Sequence, residues 1–332
     1  MSLRQARDGR PGRCLRALSI GVPLLLGTAL TGCPASREVP QVTAVPVGQW
    51  PEDVVFDAKA GHLFVADEGS ATVTVLRSGG ERVGTIRLET RARHLAVDEA
   101  LGLLYAPNEG SGFVAAFDTR DLTERFRVVA GRHPHGIAAD PASHRVFVGN
   151  EGEGTLTAFD GRGGRVLFTA AVGPGPGGIA VDPGTGRVFV VSVKEDRVAV
   201  LDGGRGTVVG RLPVGRGPTH LRVNPRTGVV YVLNTEAGSV SVLDGRAGRP
   251  LATLPVGNYP IGIALDATAG RAYVVNNRGN TLSILAEEAL AVVATRRIPR
   301  NVSSAALDPE AGLLFLALKG EDRVAVVRLR DL

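Results

Sequence analysis

Four of the six histidines and the only tryptophan fall, with a cluster of arginines, in short segments that recur at one phase along the chain. His133 and His135 stand two residues apart, and His94 occupies the preceding segment. Imidazoles in that arrangement could hold a transition metal, with Glu52 or Asp53 as an oxygen ligand. The same side chains could instead move protons. His94, His135 or His220 would then act as base or acid, and Arg93 or Arg222 would steady an oxyanion. Trp50 and Tyr259 share one phase, so an aromatic pair could stack a flat ligand; packing on adjacent loops is the equal alternative. Asn258, Asn301, Ser303, Ser304, Thr219, Arg216, Arg132 and Arg91 complete these segments.

What must position them is a repeat. Asp57, Asp98, Asp140, Asp182, Asn224, Asp266 and Asp308 are 41 residues apart once and then 42 apart five times, and each is followed seven residues later by Phe64, Tyr105, Phe147, Phe189, Tyr231, Tyr273 or Phe315. A period of that length signals a propeller or solenoid. In the fourth copy, Gly178–Val181, Val188–Val191, Arg197–Leu201 and Thr207–Leu212 read as four strands, with a tight turn at Asp182-Pro183-Gly184-Thr185-Gly186. The fold expected is all-β: a seven-bladed β-propeller of four-stranded antiparallel blades.

Blades converge on the axis, and the residue two before the anchor is small in five copies: Ala96, Ala138, Ala180, Ala264 and Ala306. The aromatics farther out read as filler between blades. Arg222 breaks the alanine series. A guanidinium there must point into the channel or find a carboxylate, because an unpaired buried charge is costly; a salt bridge to a neighbouring blade and an anion-binding role stand level. The seventh copy ends at Leu332 after three strands, while residues 41–47 precede the first anchor unpaired. These residues are expected to complete the last blade and close the ring, removing an open edge.

The candidate residues other than Arg222 lie on loops that leave one blade's outer strand and enter the next blade's inner strand, which places them around the mouth of the central channel; Arg222, two residues after His220, falls just below that rim. Asp67-Glu68, Asn108-Glu109, Asn150-Glu151, Glu195-Asp196 and Glu236 lie on the other loops of that face. They read as a mostly solvated acidic ring around a basic, histidine-rich centre, an arrangement suited to a small anion.

The first 32 residues form a secretory leader, with Arg4, Arg7, Arg10, Arg13 and Arg16 before an apolar run from Ala17 to Leu30. The run is short for a bilayer span. Five arginines and Asp8 give the leader a charge of +4, so the formal +5 of the chain falls to +1 without it. That near-neutral balance makes nucleic acid an improbable partner. The only cysteines are Cys14 and Cys33, and there is no C-x-x-C-H for covalent haem. No cofactor is expected.

Leu30-Thr31-Gly32-Cys33 resembles the bacterial lipobox. The resemblance implies cleavage before Cys33, a diacyl anchor on its sulfur, and thus no disulfide or thiol nucleophile in the mature domain; Pro34 after it favours the outer membrane. The domain plan is then a leader over 1–32, the lipidated cysteine and a linker over 33–40, and the propeller over 41–332. Tyr231-Val232-Leu233-Asn234, Tyr273-Val274-Val275-Asn276 and Phe147-Val148-Gly149-Asn150 resemble the YVTN, or lactonase-like (YncE-like), β-propeller repeat family. The second and seventh copies depart most, with Ala92 and Val302 where five others have proline, and Leu318 where most have asparagine.

The resemblance implies the propeller fold and spans functions from envelope binding proteins to lactonases. No repeat carries an insertion that could form a lid, and there is no G-x-S-x-G nucleophile motif. The expected function is therefore a non-catalytic, lipid-anchored binding or protein-interaction module of the cell envelope, working through the mouth rim on an envelope protein or a small ligand. The alternatives are a lactonase-like hydrolase or isomerase acting on a small anionic substrate in the channel, and a carrier of a metal or redox ligand.

Overall fold

The computed structural model describes residues 43–332. The leader, Cys33 and the linker lie outside the described residues. Seven four-stranded antiparallel sheets form the blades. Blades 1 to 6 occupy residues 51–87, 96–129, 134–171, 176–213, 218–255 and 260–297, and blade 7 begins at 302. The innermost strands of successive blades touch around the whole ring, and that of blade 7 touches that of blade 1.

The repeated anchor explains the hairpins. In blade 4, Asp182 accepts from the Gly184 amide at 3.1 Å and the Thr185 hydroxyl at 2.8 Å, while Gly186 takes φ 67°. The aspartate caps the turn and the glycine supplies its left-handed step. Closure follows the expected route: Thr43–Pro46 pairs antiparallel with Arg323–Arg328, with Thr43 opposite Val326 and Pro46 opposite Arg323.

The core consists of seven interblade clusters, each holding one of the repeated aromatics. Phe64 of blade 1 packs with Leu104 and Phe117 of blade 2, Phe189 with Val230 and Leu243 of blade 5, and Phe315 with Leu63 and Leu76 of blade 1. Burying each such side chain contributes roughly 1.5–3 kcal/mol. Two of the three tyrosine fillers have a hydroxyl partner: Tyr105 donates to the Gly161 carbonyl at 2.9 Å and Tyr231 to Glu287 at 2.8 Å.

The asparagines that end the second strand of blades 2, 3, 5 and 6 have a structural role. Asn234, buried at the end of its strand, accepts from the Gly215 amide at 3.1 Å and donates to Ser239 and Ser241 at 3.0 and 2.9 Å. It thereby ties the loop entering the blade to the hairpin beside it; Asp67 does the same for Gly48. Among the described residues no helix is long and apolar enough to cross a membrane.

Candidate functional site

Seven copies of one loop build the channel mouth. In every blade the residue at the Trp50 position accepts a backbone hydrogen bond from the residue 18 farther on, from the Trp50–Glu68 pair to the Asn301–Lys319 pair, at 2.9–3.2 Å. Except at Arg91, this position has positive φ: Trp50 53°, His133 53°, Tyr259 62°, Asn301 56°, and Gly175 and Gly217 in the other two blades. Side chains other than glycine are strained there. Trp50 lies against Gly69 of its own blade and is 59% exposed. His133 is also exposed and lies against Gly152.

Just past these loops the innermost strands slip register, between Pro51 and Asp53, Pro134 and Ile137, Pro218 and His220, and Pro260 and Gly262. Such bulges re-aim the side chains that follow. In blade 2, where Ala92 replaces proline, the strand shortens to Ala96–Asp98 and His94 sits on irregular backbone before it. From there the His94 ring meets His135 of blade 3 at a centroid distance of 4.8 Å and His220 of blade 5 at 4.9 Å. Blade 5 stands across the wheel from blade 2, so the imidazoles span the lumen. The cavity above them, about 350 Å³, is lined by His94, His135, His220, Glu52, Arg93 and Tyr259 among others. The cavity below, about 440 Å³, is lined by the innermost strands and Arg222 and by none of the histidines.

Asp53 fixes this plug from the side. It is 5% exposed, accepts from the Ser304 hydroxyl at 2.7 Å and the Leu95 amide at 3.2 Å, and lies 3.5 Å from His94 Nδ1. Burial alone would raise its pKa, but the hydrogen bond and charge of His94, the Arg222 guanidinium and the Ser304 hydroxyl outweigh burial and hold it below the usual carboxylate range. His135 and His220 are pushed the other way from an ordinary histidine, downward, by burial first and by the neighbouring positive charge at His94 second. They are neutral near pH 7, and the Nδ1 atom of each is buried without a hydrogen-bond partner in the protein. Neutral imidazoles can accept a proton; the serine hydroxyls that line the same cavity, Ser303 and Ser304, donate to the Pro51 carbonyl and to Asp53 rather than to an imidazole.

The rim charges of blades 1, 2 and 7 are paired with one another. Arg93 Nε lies 2.9 Å from Glu68 and 3.6 Å from Glu109, Arg91 Nε lies 3.0 Å from Glu109, and Lys319 Nζ lies 2.6 Å from Glu52 and 2.8 Å from Glu68. Glu68 and Glu109 are 9% and 8% exposed. The acidic ring expected to be mostly solvated is, at these two positions, a buried countercharge to the arginines. The basic centre expected from the sequence is thereby neutralised at the mouth.

The structure therefore brings together Asp53, His94, His135 and His220, with Glu52 and Arg93 beside them. It does not bring in His133, which points away from the mouth cavity, and no group of three metal-ligating side chains among the described residues is arranged to hold a metal ion. The reason is the αL backbone at His133, which sends neighbouring i and i+2 side chains to different sides. Trp50 and Tyr259 do not form a pair either: Trp50 lines a separate groove of about 540 Å³ with Lys319, Asn277 and Asn301, and the Tyr259 face is covered by the Arg278 guanidinium 3.8 Å away. Arg222 makes no interblade salt bridge among the described residues; it lies beneath the histidines. Lys319 was not among the sequence candidates, although it holds the rim position that Glu68 and Glu109 hold in other blades.

Residues 110–321, more than half of the chain, match the PQQ_2 family, described as outer membrane protein assembly factor BamB. The chain belongs to this family. No curated protein matches. Among solved structures the chain is similar to Kuenenia stuttgartiensis Hydrazine Synthase, with a TM-score of 0.72 and 19% identity over 91% of this chain and 99% of that one. At that identity the likeness carries the propeller fold alone.

Proposed function

We propose that this BamB-like propeller is a non-catalytic binding module of the cell envelope, held by a lipid on Cys33 at the outer membrane, that docks a segment of a partner protein on its mouth rim. The supporting observation is the rim itself: seven loops with one hydrogen-bonded backbone carry seven different side-chain sets, with exposed Trp50 beside a groove of about 540 Å³. A rigid frame with variable decoration suits recognition. The family description, which names an outer membrane protein assembly factor, agrees with an envelope partner. The lipobox-like Leu30–Cys33 run supports the lipid anchor.

A second reading draws on the neutral His135 and His220 beside the Asp53–His94 pair: proton transfer on a small substrate in the mouth cavity, as in a hydrolase or isomerase. Native co-purification from the protein's own envelope separates the two. Under the docking reading Trp50→Ala weakens recovery of one partner, while His220→Gln leaves it intact; recovery unaffected by Trp50→Ala contradicts it.

A further inference from the structure

The cavity below the histidines has walls from the innermost strands of all seven blades, including Val54, Leu95, Ile137 and Ile263, and one cation, Arg222. Its volume of about 440 Å³ falls within the roughly 300–1,000 Å³ typical of small-molecule sites. Arg222 stands where five blades have alanine and blade 1 has Val55. Its one hydrogen bond among the described residues is a 3.3 Å contact with the carbonyl of adjacent Leu221. No carboxylate among the described residues lies within ion-pair distance of it. Asp53 above is engaged by Ser304, Leu95 and His94, and Glu99, at the far end of the cavity, accepts from the Ala58 amide at 3.2 Å. Arg222 is partly buried among mainly aliphatic side chains, and a carboxylate in its fork is the strong partner for a guanidinium there.

We propose that this cavity binds a small organic monoanion with an apolar body, its head on Arg222 beneath the imidazoles and its body along the aliphatic walls toward the face opposite the mouth. A single guanidinium matches one negative charge, and Glu99 disfavours a second acid group on the ligand. Neutral ligands leave the cation unpaired. This site is separate from the rim, so either can fail alone.

Isothermal titration calorimetry on the intact chain with hexanoate, hexanamide and acetate tests it. Hexanoate should bind at least about tenfold more tightly than hexanamide, which lacks the charge, and than acetate, which lacks the body. Arg222→Ala and the bulkier Arg222→Gln should each lower hexanoate affinity at least about tenfold and leave hexanamide unchanged. Because alanine is the residue of five other blades, Arg222→Ala should melt no lower than the wild type, which separates lost binding from lost folding. No binding of hexanoate to the wild type, equal binding of hexanoate and hexanamide, or unchanged hexanoate affinity in both variants overturns the proposal.

Discussion

His94, on the loop entering blade 2, and His220, on blade 5, meet across the channel with ring centroids 4.9 Å apart. The contact closes the lumen at one level and divides it into a mouth and a lower cavity. It also packs a third imidazole, His135, against the same ring, with two buried carboxylates beside them, Asp53 at 3.5 Å from His94 and Glu109 at 4.0 Å from His135.

That packing sets a pH dependence. His135 and His220 have pKa values pushed below 6.5, by burial and then by neighbouring positive charge. In the unfolded chain both protonate near 6.5, while the folded protein keeps them neutral. Below that pH the unfolded state binds more protons, so stability falls. Thermal melts should show a declining midpoint between about pH 6.5 and 5, above the carboxylate range. The double variant His135→Phe/His220→Phe should flatten that decline.

Asp53 should be the costly polar residue of the plug. Asp53→Ala strips the acceptor from the buried Ser304 hydroxyl and the Leu95 amide, and removes the carboxylate beside His94. Denaturant unfolding should show a loss of roughly 1–3 kcal/mol. Glu151→Ala, on the exposed rim, should stay within about 0.5 kcal/mol of the wild type.

The repeated aromatics should be equivalent. Phe315→Ala, at the interface of blades 7 and 1, and Phe189→Ala, between blades 4 and 5, should each cost roughly 3–5 kcal/mol by equilibrium unfolding. A large difference between them would mean that the ring is not uniformly closed.

Backbone strain at the rim should be recoverable. His133→Gly keeps the αL step that Gly175 and Gly217 make elsewhere, and should raise stability by up to about 1 kcal/mol. A melting midpoint well below the wild type would show that the His133 side chain is itself anchoring the loop.

Much of this was legible in the sequence because the chain repeats. The 42-residue period gives seven blades, the short seventh copy gives the closing strand at Thr43–Pro46, and the phase of His94, His135 and His220 gives a common rim. What one period cannot contain is distance across the ring, so the meeting of His94 with His220 was out of reach. Nor does spacing reveal backbone handedness, and the αL turn at His133 and Tyr259 decides against the candidate His133–His135 metal pair and, of the two alternatives for Trp50 and Tyr259, against their pairing. Glu68, Glu109 and Lys319 were misjudged or missed because exposure was inferred from loop position. Their equivalence in phase, with opposite charges in blades 1, 2 and 7, was the available signal.

The central claim is that the mouth rim docks an envelope protein, and site-specific photo-crosslinking in the protein's own cells tests it most directly. A photoreactive residue placed at Trp50 should capture one envelope protein, and the same residue at exposed Thr268, in a hairpin on the opposite face, should not. Capture at neither position, or equally at both, would contradict the account.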